Sequence, residues 1–186
     1  MRVRPLRALA TAALVAAAMG PAWAEDYAYT ELDLDQCEVL KRYEETGGVD
    51  LRCAGLEGLD VFVSDGDARM DVDFGVPNDE FQTFSAFNGV GTTVEWMSGD
   101  TGIEAAALRF LIDVDGRSAE ALVVSKVGTA DAPGCVIGVV NAASDQANGV
   151  ARGIGAMAPA FDCARDTIIV LPGASELVGD FSGARQ

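Results

Sequence analysis

The segment from Ile103 to Val127 constrains this chain more than any other. Two apolar-rich runs, Ile103 to Val114 and Arg117 to Val127, are joined by Asp115-Gly116. Asp-Gly between such runs is a strong signal for a two-residue hairpin, because both turn positions need positive φ. A turn there pairs Ile112 with Ala119, Phe110 with Ala121 and Leu108 with Val123. Those six residues form one continuous apolar face, as a half-buried sheet requires. On the opposite face Arg109 lies diagonal to Glu120, within reach of a cross-strand ion pair. Glu104 to Arg109 also has helical character, but the turn and the return strand outweigh it.

The rest of the chain fits around that hairpin. Residues 28–34 read as a short edge strand, and 35–45 are ambiguous up to Gly47-Gly48. Val49 to Ala54 reads as a strand carrying Cys53. Leu59 to Ser64 and Ala68 to Phe74 flank Ser-Asp-Gly-Asp, a second hairpin signal, with the turn at Asp65-Gly66 or Gly66-Asp67. Either register puts Leu59, Val61, Val63, Ala68, Met70 and Val72 on one face. Val90 to Ser98 alternates, with Val94 and Trp96 on one side. Cys135 to Ala142 is short and β-branched, a central strand. A helix is predicted over 144–158, capped by Ser144 and ended by Pro159, with Ala147, Val150, Ala151, Ile154, Met157 and Phe161 inward. Thr167 to Leu171 makes a last strand. The expected class is α+β: a mainly antiparallel sheet of about seven strands with one C-terminal helix packed on it.

The N-terminus predicts export. Arg2, Arg4 and Arg7 precede an apolar, Ala-rich run from Ala8 to Gly20, and Pro21 and Ala22-Trp23-Ala24 complete a cleavage pattern. We read 1–24 as a signal peptide, 25–171 as one domain and 172–186 as a loose tail. The apolar run is shorter than a membrane span needs. The chain then expected, 25–186, has 10 basic and 29 acidic residues and a net charge of −19. Its four cysteines, Cys37, Cys53, Cys135 and Cys163, form an even set in an exported protein, the pattern of a disulfide framework. Of three connectivities, proximity in sequence selects Cys37–Cys53 and Cys135–Cys163. Zinc would want short Cys-x-x-Cys spacings, and there are none.

Several stretches carry a resemblance. Gly134-Cys135-Val-Ile-Gly-Val-Val-Asn141-Ala, Asn148-Gly-Val-Ala-Arg152 and Phe161-Asp-Cys163-Ala-Arg-Asp166 are three. Asp35-Gln-Cys37, Arg52-Cys53-Ala-Gly55 and the Asp-x-Arg-Met hairpin are the others. Together they resemble a family of small, uncharacterised exported bacterial proteins. The resemblance implies export, the cysteine framework and a single domain, and it supplies no catalytic residues.

The composition narrows function by exclusion. The chain has no histidine, which removes the usual Ser-His-Asp and Cys-His sites and any imidazole switch. A strongly acidic chain does not suit nucleic acid, whose phosphates need clustered Lys and Arg, or anionic membrane surfaces. No phosphate-binding glycine pattern occurs among Gly102, Gly128, Gly138 and Gly155, and no cofactor is expected. Asp113-Val-Asp115-Gly116 with Glu120 looks like a calcium loop, but it lacks a third acidic position and its glutamate comes too early. No metal site is assigned. Arg152 and Arg165 are read as structural, pairing with Asp145, Asp162 or Asp166.

One acidic group stands out. Asp60, Asp71 and Asp73 fall on the non-core face of the first hairpin with only Arg69 among them. Like charges on one sheet face are unfavourable without an offset. We read the three as solvated surface, or as a face for a cation or a cationic partner. The expected function is a periplasmic or secreted non-catalytic module binding a cationic protein or peptide. An inhibitor of a basic lysozyme-like enzyme is one version, by analogy. The alternative is a carboxylate-based hydrolase of envelope glycans, which needs a cleft with two carboxyls about 5–9 Å apart.

Overall fold

The structure is a computed structural model and describes residues 27–171 and 176–182. The expected signal peptide lies outside the described residues.

Three layers stack: a four-stranded sheet, a six-stranded sheet and a helix. The strands are β1 (Tyr27–Glu31), β2 (Glu38–Tyr43), β3 (Gly48–Ala54), β4 (Asp60–Gly66) and β5 (Arg69–Phe74). They continue as β6 (Phe87–Gly99), β7 (Gly102–Val114), β8 (Arg117–Lys126), β9 (Cys135–Asn141) and β10 (Ile169–Val170). Helix α1 is Ala147–Gly155, and a short α2 is Glu176–Gly179. The large sheet runs β1-β6-β7-β8-β9-β10 and the small one β2-β3-β4-β5. All pairings are antiparallel except β9 with β10. The class is as expected: largely antiparallel sheet, one C-terminal helix packed on it, two disulfides. The strands, however, divide into two sheets. No helix among the described residues is long and apolar enough to cross a membrane.

The central hairpin has the predicted register: Ile112 faces Ala119, Phe110 faces Ala121 and Leu108 faces Val123. Asp115 and Gly116 both have positive φ, 53° and 73°. Arg109 Nη1 lies 2.6 Å from Glu120 Oε2. The apolar face packs with Val94 and Trp96 against Leu51, Val61, Val63, Val72 and Phe74 of the small sheet. Alternation turns Ala105, Ala107, Leu122 and Val124 to the other side, and a bulge at Ile137 brings both Ile137 and Val140 of β9 to that side, where α1 covers them. Burial on both faces explains why β9 is apolar from Cys135 to Val140.

Helix α1 is short and closely seated. A Cβ on Gly138 of β9 would lie 2.8 Å from Ile154, and one on Gly155 would lie 2.1 Å from Met97 Sδ. These two glycines let helix and sheet approach. Ala147, Ala151, Ile154 and Phe161 are buried as expected, but Met157 is about half exposed. Ser144 does not cap the helix. Gln146 takes the N-cap position, in left-handed conformation and with no side-chain bond. Asn141 Oδ1 accepts from Ala143 N–H instead, closing a turn before the helix. Arg152 departs from the expected acids and bonds Glu95 at 2.6 Å and Tyr29 Oη at 2.8 Å, with its guanidinium over the Tyr27 ring. Arg165 pairs with Asp162.

Both selected disulfides are present, Cys37–Cys53 and Cys135–Cys163. Each removes unfolded-state entropy worth roughly 3 kcal/mol in the chain-entropy account. The second ties the exit of α1 to the start of β9. Where a loose tail is expected, residues 176–182 pack into the core. Val178 and Phe181 are buried, and Phe181 meets Phe84 edge-on at 4.9 Å.

Candidate functional site

The first hairpin turns later than the sequence suggests. Val63 pairs with Val72 and Val61 with Phe74, so the turn is Asp67-Ala68, both at positive φ. A two-residue shift preserves sidedness, so Val61, Val63, Met70 and Val72 keep the inner face. Only Ala68 leaves it for the exposed turn. Asp71 and Asp73 keep the outer face, opposite Ser64 and Phe62.

They are not solvated, however. Asp71 is 6% exposed and Asp73 7%. The segment after β5, residues 75–86, folds back over them. Asn78 donates to Asp73 from its backbone N–H at 3.2 Å and from Nδ2 at 2.8 Å. Gln82 N–H donates to Asp71 Oδ1 at 3.2 Å. The same segment is anchored to the large sheet: Asn78 Nδ2 reaches Gly134 O, and Val136 N–H reaches Gln82 Oε1, each at 3.2 Å. Gly128 makes this anchorage possible, since its N–H bonds Phe74 O and a Cβ there would lie 2.1 Å from Val76 O.

Burial is the main force on the pair. Desolvation, with the neighbouring Asp73 charge added, pushes the Asp71 carboxyl from an ordinary 3.8 up to about 7. Desolvation likewise pushes Asp73 up to about 7, opposed by the Asn78 N–H bond. As alternate residues on one strand, their Cα atoms are about 6.6 Å apart.

Asp71 and Asp73 line a groove of about 530 Å³ on the outer face of the small sheet. Its walls are Leu40, Tyr43 and Thr46 on one side and Pro77 to Phe81 on the other. Among the described residues six acidic side chains line it, Asp50, Asp65, Asp71, Asp73, Asp79 and Glu80, and no Lys or Arg does. Leu40, Tyr43 and Phe81 are 48%, 38% and 47% exposed, so the walls offer apolar surface to solvent. Tyr43 Oη donates to Asp50 Oδ2 at 2.9 Å, fixing one wall to the floor.

Asp60 does not join Asp71 and Asp73. It opens β4 outside the groove, where its carbonyl accepts from Gly75 N–H. Arg69 does not offset the pair either. Its guanidinium bonds Asp67 and the Ser85 carbonyl and lies over the Phe87 ring. Sequence reasoning missed the wall residues. The available signal was Pro77-Asn78-Asp79-Glu80, a turn-forming acidic run. Glu80 N–H does bond Asn78 Oδ1, at 2.6 Å.

Asp113, Asp115 and Glu120 do not converge. Among the described residues no group of three Cys, His, Asp or Glu side chains is arranged to hold a metal ion. Comparison with protein-family models, with curated proteins and with solved structures finds no match to this chain.

Proposed function

We propose that the protein is a non-catalytic periplasmic or secreted binding module, and that its acidic groove takes a cationic segment of a protein or peptide. The lining carries the proposal: among the described residues, six acidic side chains, no Lys or Arg and three exposed apolar side chains in one concavity. Such a surface complements a basic chain segment with aliphatic stems, as Lys and Arg provide. The disulfides and the N-terminal pattern support an oxidising compartment outside the cytoplasm. A basic lysozyme-like enzyme remains one concrete partner.

The groove can be tested by the kinetics of a basic lysozyme binding to the immobilised protein. Asp79→Asn/Glu80→Gln removes two exposed groove charges. Asp131→Asn/Asp145→Asn removes two exposed charges elsewhere. The groove variant should associate about tenfold more slowly at low salt and lose part of its salt dependence. The second variant should behave as wild type. Equal slowing in both would reduce the effect to net charge.

The hydrolase reading has one observation in its favour, the two raised carboxyls within a groove. It ranks second because Asn78 already holds Asp73 through two bonds. Cleavage of a chitooligosaccharide, abolished by Asp71→Asn, would reverse that ranking.

A further inference from the structure

We propose that the groove takes a lysine-type ammonium group at Asp71–Asp73 in exchange for a proton. This rests on the groove being the binding surface proposed above, and it specifies the ligand group and what leaves when it arrives. Two buried carboxyls on one strand face cannot both ionise cheaply unless a cation stands by. The donors that reach them, Asn78 and the Gln82 N–H, are neutral.

The charged groups on the surrounding elements do not supply a cation. On β3, Asp50 is negative and Arg52 is paired with Glu38. On β4, Ser64 and Phe62 stand opposite the pair, and Asp65 lines the groove beside them. The covering segment adds Asp79 and Glu80. On β2, the Lys41 ammonium lies over the Tyr43 ring, 4.2 Å from its centre. On β5 itself, Arg69 is turned to Asp67 and Ser85. With no cation among the described residues bonded to Asp71 or Asp73, a proton does that work, and burial holding both carboxyls near neutrality agrees.

An incoming ammonium replaces that proton, which passes to buffer, and a carboxyl becomes a carboxylate paired with the ligand. Lysine suits the site better than arginine. Asn78 occupies Asp73, and the Gln82 N–H occupies Asp71 Oδ1, so no open two-oxygen edge is presented to a planar fork. A compact ammonium with three rotatable donors needs no such edge.

The test is calorimetric titration of the protein with acetylated, amidated pentalysine, in buffers of different ionisation enthalpy. At pH 6.5 binding should release close to ~1 proton per peptide, and affinity should rise with pH by up to about tenfold per unit before levelling above pH 8. At pH 8.5, and in Asp71→Asn/Asp73→Asn at pH 6.5, the release per bound peptide should largely vanish. Binding without proton release, or release unchanged in Asp71→Asn/Asp73→Asn, overturns the exchange and leaves the groove proposal standing. Absence of binding at both pH values overturns the two together.

Discussion

Phe110→Ala is expected to lower the unfolding free energy by about 3–5 kcal/mol. The ring is 1% exposed and sits between the sheets, its centre 5.7 Å from that of Phe84. Phe84 in turn contacts Phe181, so the truncation undermines the packing of the C-terminal segment as well. Phe110 lies on β7 with Val90 of β6 on one side and Ala121 of β8 on the other. Ladders on both sides prevent the backbone from collapsing into the space, which favours the upper part of that range. Urea unfolding measures the loss. A value below about 1 kcal/mol would mean that the ring faces solvent and that the β7–β8 register is wrong by one residue.

Asp71→Asn should act in the opposite direction, increasingly so as pH rises from about 4 through 7. In the folded chain Asp71 titrates near 7, against an ordinary value of 3.8. Between those values the native state binds more protons than the unfolded chain, so stability falls as pH rises. The contribution is fully present below about pH 4 and is lost as pH climbs through 7. A shift of about three units corresponds to at most ~4 kcal/mol. The Asn78 and Gln82 bonds persist in either state, and water in the groove screens the charge. We therefore expect Asp71→Asn to be about 2 kcal/mol more stable than wild type at pH 8 and nearly equal to it at about pH 3.5. The asparagine Oδ1 can still accept from Gln82 N–H. Urea titrations at the two pH values provide the comparison. A variant no more stable than wild type at pH 8 would mean that the Asp71 carboxylate is not desolvated as described.

The parts of this fold that were legible in the sequence are those where local and long-range preferences agree. Asp115-Gly116 wants the turn that the alternation of Phe110, Ile112 and Ala121 also demands, so register and face were both readable. The disulfides followed from sequence proximity, which the hairpin-rich topology preserves. The Asp67-Ala68 turn was hidden because neither residue is glycine and the Asp65-Gly66 signal lay beside it. There the pairing of Val61 with Phe74 overrides the local preference. Helix α1 begins later than Ser144 suggests, because Asn141 diverts the chain into a turn.

The candidate site was half legible. Parity alone put Asp71 and Asp73 on the outer face of the hairpin. Their burial depends on residues 75–86 folding back across that face, held by long-range bonds that include Asn78 Nδ2 to Gly134 O, Gly134 N–H to Val76 O and Val136 N–H to Gln82 Oε1. No periodicity in the sequence encodes that return. Asp60 shares the parity of the other two, yet it lies where the covering segment begins and stays outside the groove. The second sheet was equally hidden, because alternation gives each strand an inner face without saying which sheet it joins.

The central claim is that the outer face of the small sheet, and no other acidic surface, receives a cationic chain. Amide chemical shifts of the isotopically labelled protein, followed while pentalysine is added at moderate salt, test it most directly. The account predicts saturable shifts at Tyr43 to Gly48, Ser64 to Gly66, Asp71 to Asp73 and 77–81, with Asp131, Asp145 and Asp162 to Asp166 unmoved. Shifts spread evenly over all exposed carboxylates, or centred on the Asp162 to Asp166 turn, would contradict it.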